Sequence, residues 1–231
     1  MATISDNIQQ VRARIATACS AAQRPVQSVT LLAVGKTFGA EAVRAACNAG
    51  QRAFGENYVR EALDKMEAIG ALRASTEWHL VGPLQSNKAR VVAERFDWVH
   101  SVDRLKIAQR LSEHRPAALA PLQLCLQVNI SGEPTKSGVA PADVAALAQA
   151  VAVLPRVRLR GLMAIPEPAH DLAGQRRPHA ALRALLRELQ RAGLALDTLS
   201  MGMSADLEAA ILEGATIVRV GTALFGTRQP A

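Results

Sequence analysis

Lys36 follows a nearly unbroken apolar run, Val29 to Val34, and a single glycine separates the two. Such a run reads as a parallel strand buried on both faces. A helical pattern comes next, with Ala42, Val43 and Ala46 three and four residues apart. Lys36 thus stands at the C-terminal end of a first strand, the side on which open α/β sheets and (β/α)8 barrels bind ligands. Residues two apart share a face, so Lys36 follows Thr30, Leu32 and Val34 into the mouth of any barrel they fill. Partial burial favours the free amine of a lysine, which can attack a carbonyl carbon to form a Schiff base. By position alone, the same lysine could simply solvate a strand end.

The far end of the chain supplies complementary chemistry. Leu-Ser-Met-Gly-Met-Ser at Leu199 to Ser204 leads toward a helix expected over Ala205 to Glu213, and Gly221-Thr222 turns the chain out of a strand ending at Val220. Loops after the seventh and eighth strands are where phosphate-binding barrels hold their phosphate. Backbone N–H groups at a helix start attract an anion, glycine admits it closely, and hydroxyls add hydrogen bonds. Ser204 would also make an ordinary helix N-cap and Gly221 an ordinary turn residue. Arg219 has the parity of Ile217 and Gly221 and should face the same mouth, while Val218 and Val220 face helices. An aldehyde-reactive amine, a phosphate cradle and a fixed cation are together what pyridoxal phosphate requires.

Positioning these groups takes eight strand–helix units. An amphipathic helix opens the chain, with Ile4, Ile8, Val11, Ile15 and Cys19 at helical spacing, and ends before Pro25. Strands are expected at Val29 to Val34, near Arg52, at Glu77 to Val81, Trp98 to Val102, Leu122 to Ile130, Leu159 to Ile165, Thr198 to Met201 and Thr216 to Val220. Helical patterns separate them; Ser101 or Asp103 is expected to cap the one after the fourth strand, and Pro141 to open the one after the fifth. No Pro/Gly/Ser-rich linker divides the chain, so residues 1–231 read as one domain, an α/β protein built as a single (β/α)8 TIM barrel with an extra N-terminal helix.

Composition excludes several classes. The formal charge of +7 suggests nucleic acid, but two Trp, one Tyr and four Phe leave few platforms for base stacking. Arg183, Arg187 and Arg191 lie opposite a stripe of Leu182, Leu185, Leu186 and Leu189 and read as a solvated helix face. The three cysteines, Cys19, Cys47 and Cys125, are far apart and read as buried residues of a reducing compartment. Apolar runs are too short to span a membrane and no signal core is visible, so a cytoplasmic location is expected. The five histidines show no metal-ligand spacing, and His79 is expected either to line the mouth or to be a hydrogen-bonded structural residue.

Six segments in order give the chain a resemblance to the pyridoxal phosphate homeostasis protein family, single-domain relatives of the alanine racemase barrel. They are Ala-Val-Gly-Lys-Thr around Lys36, Phe-Gly-Glu-Asn-Tyr at Phe54 to Tyr58, Trp78 to Lys88, Gly161 to Ile165, Leu199 to Ser204 and Arg219 to Gly226. The resemblance runs from about Val29 to the C-terminus. It implies a barrel of the alanine racemase N-terminal type, with pyridoxal 5'-phosphate (PLP) held as an aldimine on Lys36. Arg219 would then face the pyridine nitrogen, Ser204, Gly221 and Thr222 would hold the phosphate, Ser200 would lie nearby and Asn57 beside the ring. Phe38 departs from the pattern, since many bacterial members carry a second lysine there.

An arginine beside the ring nitrogen keeps its own proton, which makes the ring a poor electron sink. No second base is apparent, and the single tyrosine, Tyr58, falls early in the barrel. The expected function is therefore to hold PLP for intracellular vitamin B6 homeostasis, as a monomer without catalytic turnover or bound metal, with apo PLP-dependent enzymes as possible recipients. Two other readings stand beside it: a weak racemase-like PLP enzyme acting on amino acids, and a phosphate-binding barrel with an ordinary substrate. Lys136, in a Gly- and Pro-containing loop after the fifth strand, is a candidate second amine for handing the cofactor on.

Overall fold

In the computed structural model, residues 2–133 and 136–226 are described. Helix α1 (Ile4–Ala21) opens on a capping box: Thr3 Oγ1 accepts from the Asp6 N–H at 3.1 Å and Asp6 Oδ2 accepts from the Thr3 N–H at 2.9 Å. Its stripe of Ile8, Val11, Ile15 and Cys19 is buried. Eight strands follow, β1 (Thr30–Val34), β2 (Ala53–Glu56), β3 (Glu77–Leu80), β4 (Trp98–Val102), β5 (Leu122–Gln127), β6 (Val157–Met163), β7 (Thr198–Ser200) and β8 (Ile217–Val220). They form one closed, all-parallel barrel in sequence order. Closure comes from β8 against β1, with Leu32 opposite Arg219.

The strand-to-strand crossovers carry the helices α2 (Ala40–Asn48), α3 (Val59–Ala68), α4 (Ala89–Arg95), α5 (Leu105–His114), α6 (Val144–Ala152), α7 (Leu172–Arg191) and α8 (Leu207–Leu212), and α9 (Thr222–Phe225) follows β8. Strand residues then divide by parity. Leu32, Val34, Ala53, Val81, Trp98, Cys125, Met163 and Ile217 pack inside the barrel. Leu31, Ala33, Val218 and Val220 join the larger layer between strands and helices. Helix α1 packs on α8 and α9, and its Asn7 amide donates to the Leu224 carbonyl at 2.9 Å. The extra helix therefore joins the end of the chain to its beginning.

Several boundaries differ from expectation for local reasons. Strand β5 stops at Gln127 instead of Ile130 because the chain beyond it bonds to its own loop: the Val139 N–H donates to Gln127 O and the Asn129 N–H to Val139 O. Strand β6 begins at Val157, two residues earlier than the apolar run suggests, since its first turns alternate in burial. Helix α5 is capped by the extended backbone of Arg104; Ser101 stays in β4, and the Asp103 carboxylate receives the Arg104 guanidinium at 2.7 Å. Pro141 opens a short 3-10 turn that leads into α6. Arg183 is only partly solvated: with Arg176 it binds the buried Glu213 carboxylate, at 2.8 and 2.6 Å, tying α7 to the end of α8. Arg187 and Arg191 are exposed.

All three cysteines are buried free thiols. Burial pushes the Cys125 thiol up to about 12, so it stays neutral inside the barrel. Among the described residues, no helix is long and apolar enough to cross a membrane.

Candidate functional site

A cavity of about 270 Å³ opens at the C-terminal end of the barrel, with Val34 and Val81 in its wall. Lys36 lines it from the turn after β1, Asn57 from the end of β2, Ile165 from beyond β6, Met203 to Ala205 from the turn after β7, and Arg219, Gly221 and Thr222 from β8 and its exit.

Lys36 is held by its neighbours. The turn closes through the Phe38 N–H and the Gly35 carbonyl at 3.0 Å, and Thr37 takes a left-handed φ of 70° that a non-glycine residue adopts only under constraint. That constraint comes from α3. Glu61 Oε2 accepts from the Thr37 N–H at 3.2 Å, and the Lys65 ammonium donates to the Gly35 carbonyl and to Glu56 Oε1, each at 2.7 Å. Both peptides flanking Lys36 are thus tied to one ion network, buried at Lys65 and Glu56 and partly exposed at Glu61. Lys65 and Glu56 are buried, and desolvation pushes the Glu56 carboxyl up to about 7 against the pull of Lys65.

On the opposite wall, the N–H groups of Ser204 and Ala205 have no hydrogen-bond acceptor among the described residues. The turn is fixed from behind. Arg14 of α1 donates to the Ser204 carbonyl at 3.0 Å and pairs with Glu208. Asp206 accepts from the Met203 N–H at 2.7 Å and pairs with His179 at 2.9 Å. Burial raises the Asp206 carboxyl, yet these bonds outweigh it and hold the group below the usual range. Asp206, not Ser204, is the N-cap residue, and α8 starts only at Leu207, which leaves Ser204 in the turn facing the cavity. Beside it the Thr222 and Ala223 N–H groups at the start of α9 have no acceptor among the described residues, whereas those of Leu224 and Phe225 donate to the Gly221 carbonyl. Gly221 is needed by close approach: a Cβ there would lie 3.0 Å from the Val34 carbonyl oxygen.

Arg219 is buried, and three of its N–H groups are used: Nη1 donates to Ser200 O at 2.6 Å and Ser200 Oγ at 2.9 Å, and Nη2 to Ala164 O at 2.8 Å. A guanidinium has five such donors, so two remain for whatever fills the cavity. Burial lowers its pKa to about 10, which still leaves it a cation at neutral pH.

The model for the alanine racemase N-terminal domain matches residues 4–229. The pyridoxal phosphate homeostasis protein of Pseudomonas aeruginosa is 62% identical over 229 residues, covering 99% of this chain and 97% of that protein. The protein of the same name from Escherichia coli K12 is 50% identical over 230 residues, with 99% and 98% covered. The chain belongs to the pyridoxal phosphate homeostasis protein family. PipY of Synechococcus elongatus PCC7942, solved with PLP bound, superposes with a TM-score of 0.84 at 40% identity, covering 97% of this chain and all of that one. The family's single (β/α)8 barrel of alanine racemase N-terminal type is the fold described above.

Of the residues singled out in this homeostasis-family sequence, Lys36, Asn57, Ser204, Arg219, Gly221 and Thr222 meet in the one cavity. Ser200 does not line it. Its side chain is fully buried one layer deeper, with its hydroxyl between Arg219 and His100. His79 also lies below the mouth: it is buried and stacked on Trp98 at 5.4 Å, because Val81, two residues on, occupies the mouth on that strand. The Lys136 ammonium pairs with Glu133 at 2.6 Å in its own loop and does not line the cavity, while Pro134 lies outside the described residues. Phe38 lines the rim and packs on Phe225, ring centroids 5.3 Å apart, so this position is aromatic and not a second amine. Tyr58 is exposed and outside the cavity lining.

Sequence reasoning missed Glu56, Glu61 and Lys65. One signal was present: Lys65 occupies the apolar stripe of α3 between Ala62 and Met66, where a lysine is expected only with a partner.

Proposed function

We propose that this chain binds PLP in the barrel mouth, with Lys36 as its covalent anchor, and serves intracellular vitamin B6 homeostasis by holding and releasing it without turnover. The observation that carries the reading is convergence: an amine, unpaired backbone donors with a serine and a threonine, and a buried cation face one cavity. These residues fit the cofactor's chemistry. The Ser204 and Ala205 N–H groups, the Thr222 hydroxyl and the backbone at Gly221 would receive the phosphate. An Arg219 N–H would donate to the pyridine nitrogen, and Asn57 would flank the ring. When bound, PLP supplies an aldehyde that condenses with a lysine amine.

The residues that face the cavity support a carrier without turnover. Arg219 remains protonated and donates, so it does not furnish a proton to the ring nitrogen that would make the ring an electron sink. Tyr58 is exposed and no histidine lines the cavity, which leaves Lys36 as its one evident base. The proposed carrier acts as a monomer in the cytoplasm, with apo PLP-dependent enzymes as recipients.

The purified protein should be yellow, and borohydride should bleach its visible band while fixing the cofactor. A colourless protein that takes up no added PLP would overturn the reading. The shared racemase-type barrel motivates the racemase-like alternative. That alternative predicts α-deuterium in amino acids incubated with the loaded protein in deuterated water, and the carrier reading predicts none.

A further inference from the structure

Beneath Arg219 the barrel core is polar along one continuous line. Ser200 Oγ lies 2.8 Å from His100 Nδ1, His100 Nε2 lies 2.9 Å from His79 Nδ1, and His79 Nε2 lies 2.7 Å from Glu77 Oε1. Glu77 is the first residue of β3, so this line runs from the base of the barrel to the cofactor side. His79, His100 and Ser200 are each at most 1% exposed, so bulk water does not reach them. Inside a barrel otherwise filled by aliphatic and aromatic groups, such a line is costly unless every member is satisfied.

Only one arrangement of protons satisfies it with both rings neutral. A hydrogen bond from His79 holds the Glu77 carboxyl below the usual range, so it is ionised and only accepts. His79 must then carry its proton on Nε2, and its bare Nδ1 accepts from His100 Nε2. Burial above all, reinforced by the Arg219 cation, keeps His100 neutral, so its bare Nδ1 accepts the Ser200 hydroxyl proton. The Ser200 oxygen is left with lone pairs for Arg219 Nη1. In the reverse direction Ser200 would receive the His100 proton and turn its own hydrogen toward a guanidinium that has no acceptor. The direction of the line therefore decides whether Arg219 keeps its place.

We infer that Glu77, at the far end of the barrel, is a positioning residue for the cofactor site: its carboxylate fixes the tautomers of His79 and His100 and so orients Arg219. This deepens the proposed PLP-binding function and rests on it only for the ligand. The test has two arms. In apo-protein labelled with ¹⁵N-histidine, long-range ¹H–¹⁵N correlations should show both rings neutral and protonated at Nε2; a proton on Nδ1 of either ring overturns the inference. This arm uses no cofactor, so it stands even if PLP fails to bind.

In the second arm, Glu77→Leu removes the acceptor at a side chain that is half exposed, where the fold tolerates change. The variant should lose the single tautomer and bind added PLP about tenfold more weakly. Glu77→Gln retains an acceptor oxygen and should restore both properties. A Glu77→Leu protein that keeps its tautomers, or changes them at unaltered PLP affinity, shows that Glu77 does not orient Arg219.

Discussion

Replacing Lys65 with methionine tests the ion network behind the site, and the structure sets the size of the effect. The change keeps the apolar stem but removes the ammonium bound to Glu56 Oε1 and the Gly35 carbonyl. Glu56 is fully buried, and its Oε2 already has no partner among the described residues. Removing one member of a buried pair costs about 3–5 kcal/mol. The loss should depend on pH, with a sign fixed by Glu56. Its carboxyl is raised from 4.5 to about 7 in the fold, so its stabilising effect is complete below 4.5 and lost as pH rises through about 7. That window corresponds to about 3 kcal/mol in the wild type. Without Lys65 the carboxyl rises further, and the window extends to higher pH.

Urea unfolding of the apo-protein should therefore show Lys65→Met destabilised by about 3–5 kcal/mol near pH 8.5 and by clearly less near pH 5.5. The double variant Glu56→Leu/Lys65→Met should recover most of the loss, because no buried charge is stranded. PLP retention should remain impaired in both, since the Gly35 carbonyl beside Lys36 has lost its donor. A Lys65→Met protein within about 1 kcal/mol of wild type at both pH values would refute the reasoning.

Lys36→Ala should melt within a few degrees of wild type, because the half-buried side chain leaves no sealed hole, while the borohydride-fixed adduct disappears. Arg219→Gln should cost about 2–4 kcal/mol in urea unfolding, since one amide cannot serve the carbonyls of both Ser200 and Ala164, and should shift the absorption band of bound PLP; an unchanged band would mean that Arg219 does not face the ring. Lys136→Ala should leave colour and affinity unchanged, the ammonium being paired with Glu133. If Lys136 assists release, transfer of PLP to an apo-enzyme at equal occupancy will be slower; transfer at the wild-type rate removes Lys136 from the pathway.

The parts of the site legible in the sequence are those that strand periodicity places. Lys36, Arg219 and Gly221 follow from period-two parity and the ends of apolar runs, and the structure brings them to one cavity. The supports were not legible because each depends on a pairing between distant elements. His179 meets Asp206 across α7 and the β7 exit, and Arg14 reaches Ser204 from the first helix. Glu77, His79 and His100 share interior parity and could have been aligned, but their depth depends on the stagger of neighbouring strands, which one sequence does not reveal. The expected reach of β5 to Ile130 exceeds the observed strand for a related reason: Val128 is apolar, yet it pairs with Val139 of its own loop.

The central claim is that Lys36 is the covalent partner of PLP. Borohydride reduction of the protein loaded with PLP, followed by proteolysis and mass spectrometry, reads this directly. The account predicts a single phosphopyridoxyl-modified lysine, Lys36, at near-stoichiometric occupancy. Modification at another lysine, or loss of the cofactor without a covalent adduct, would contradict it.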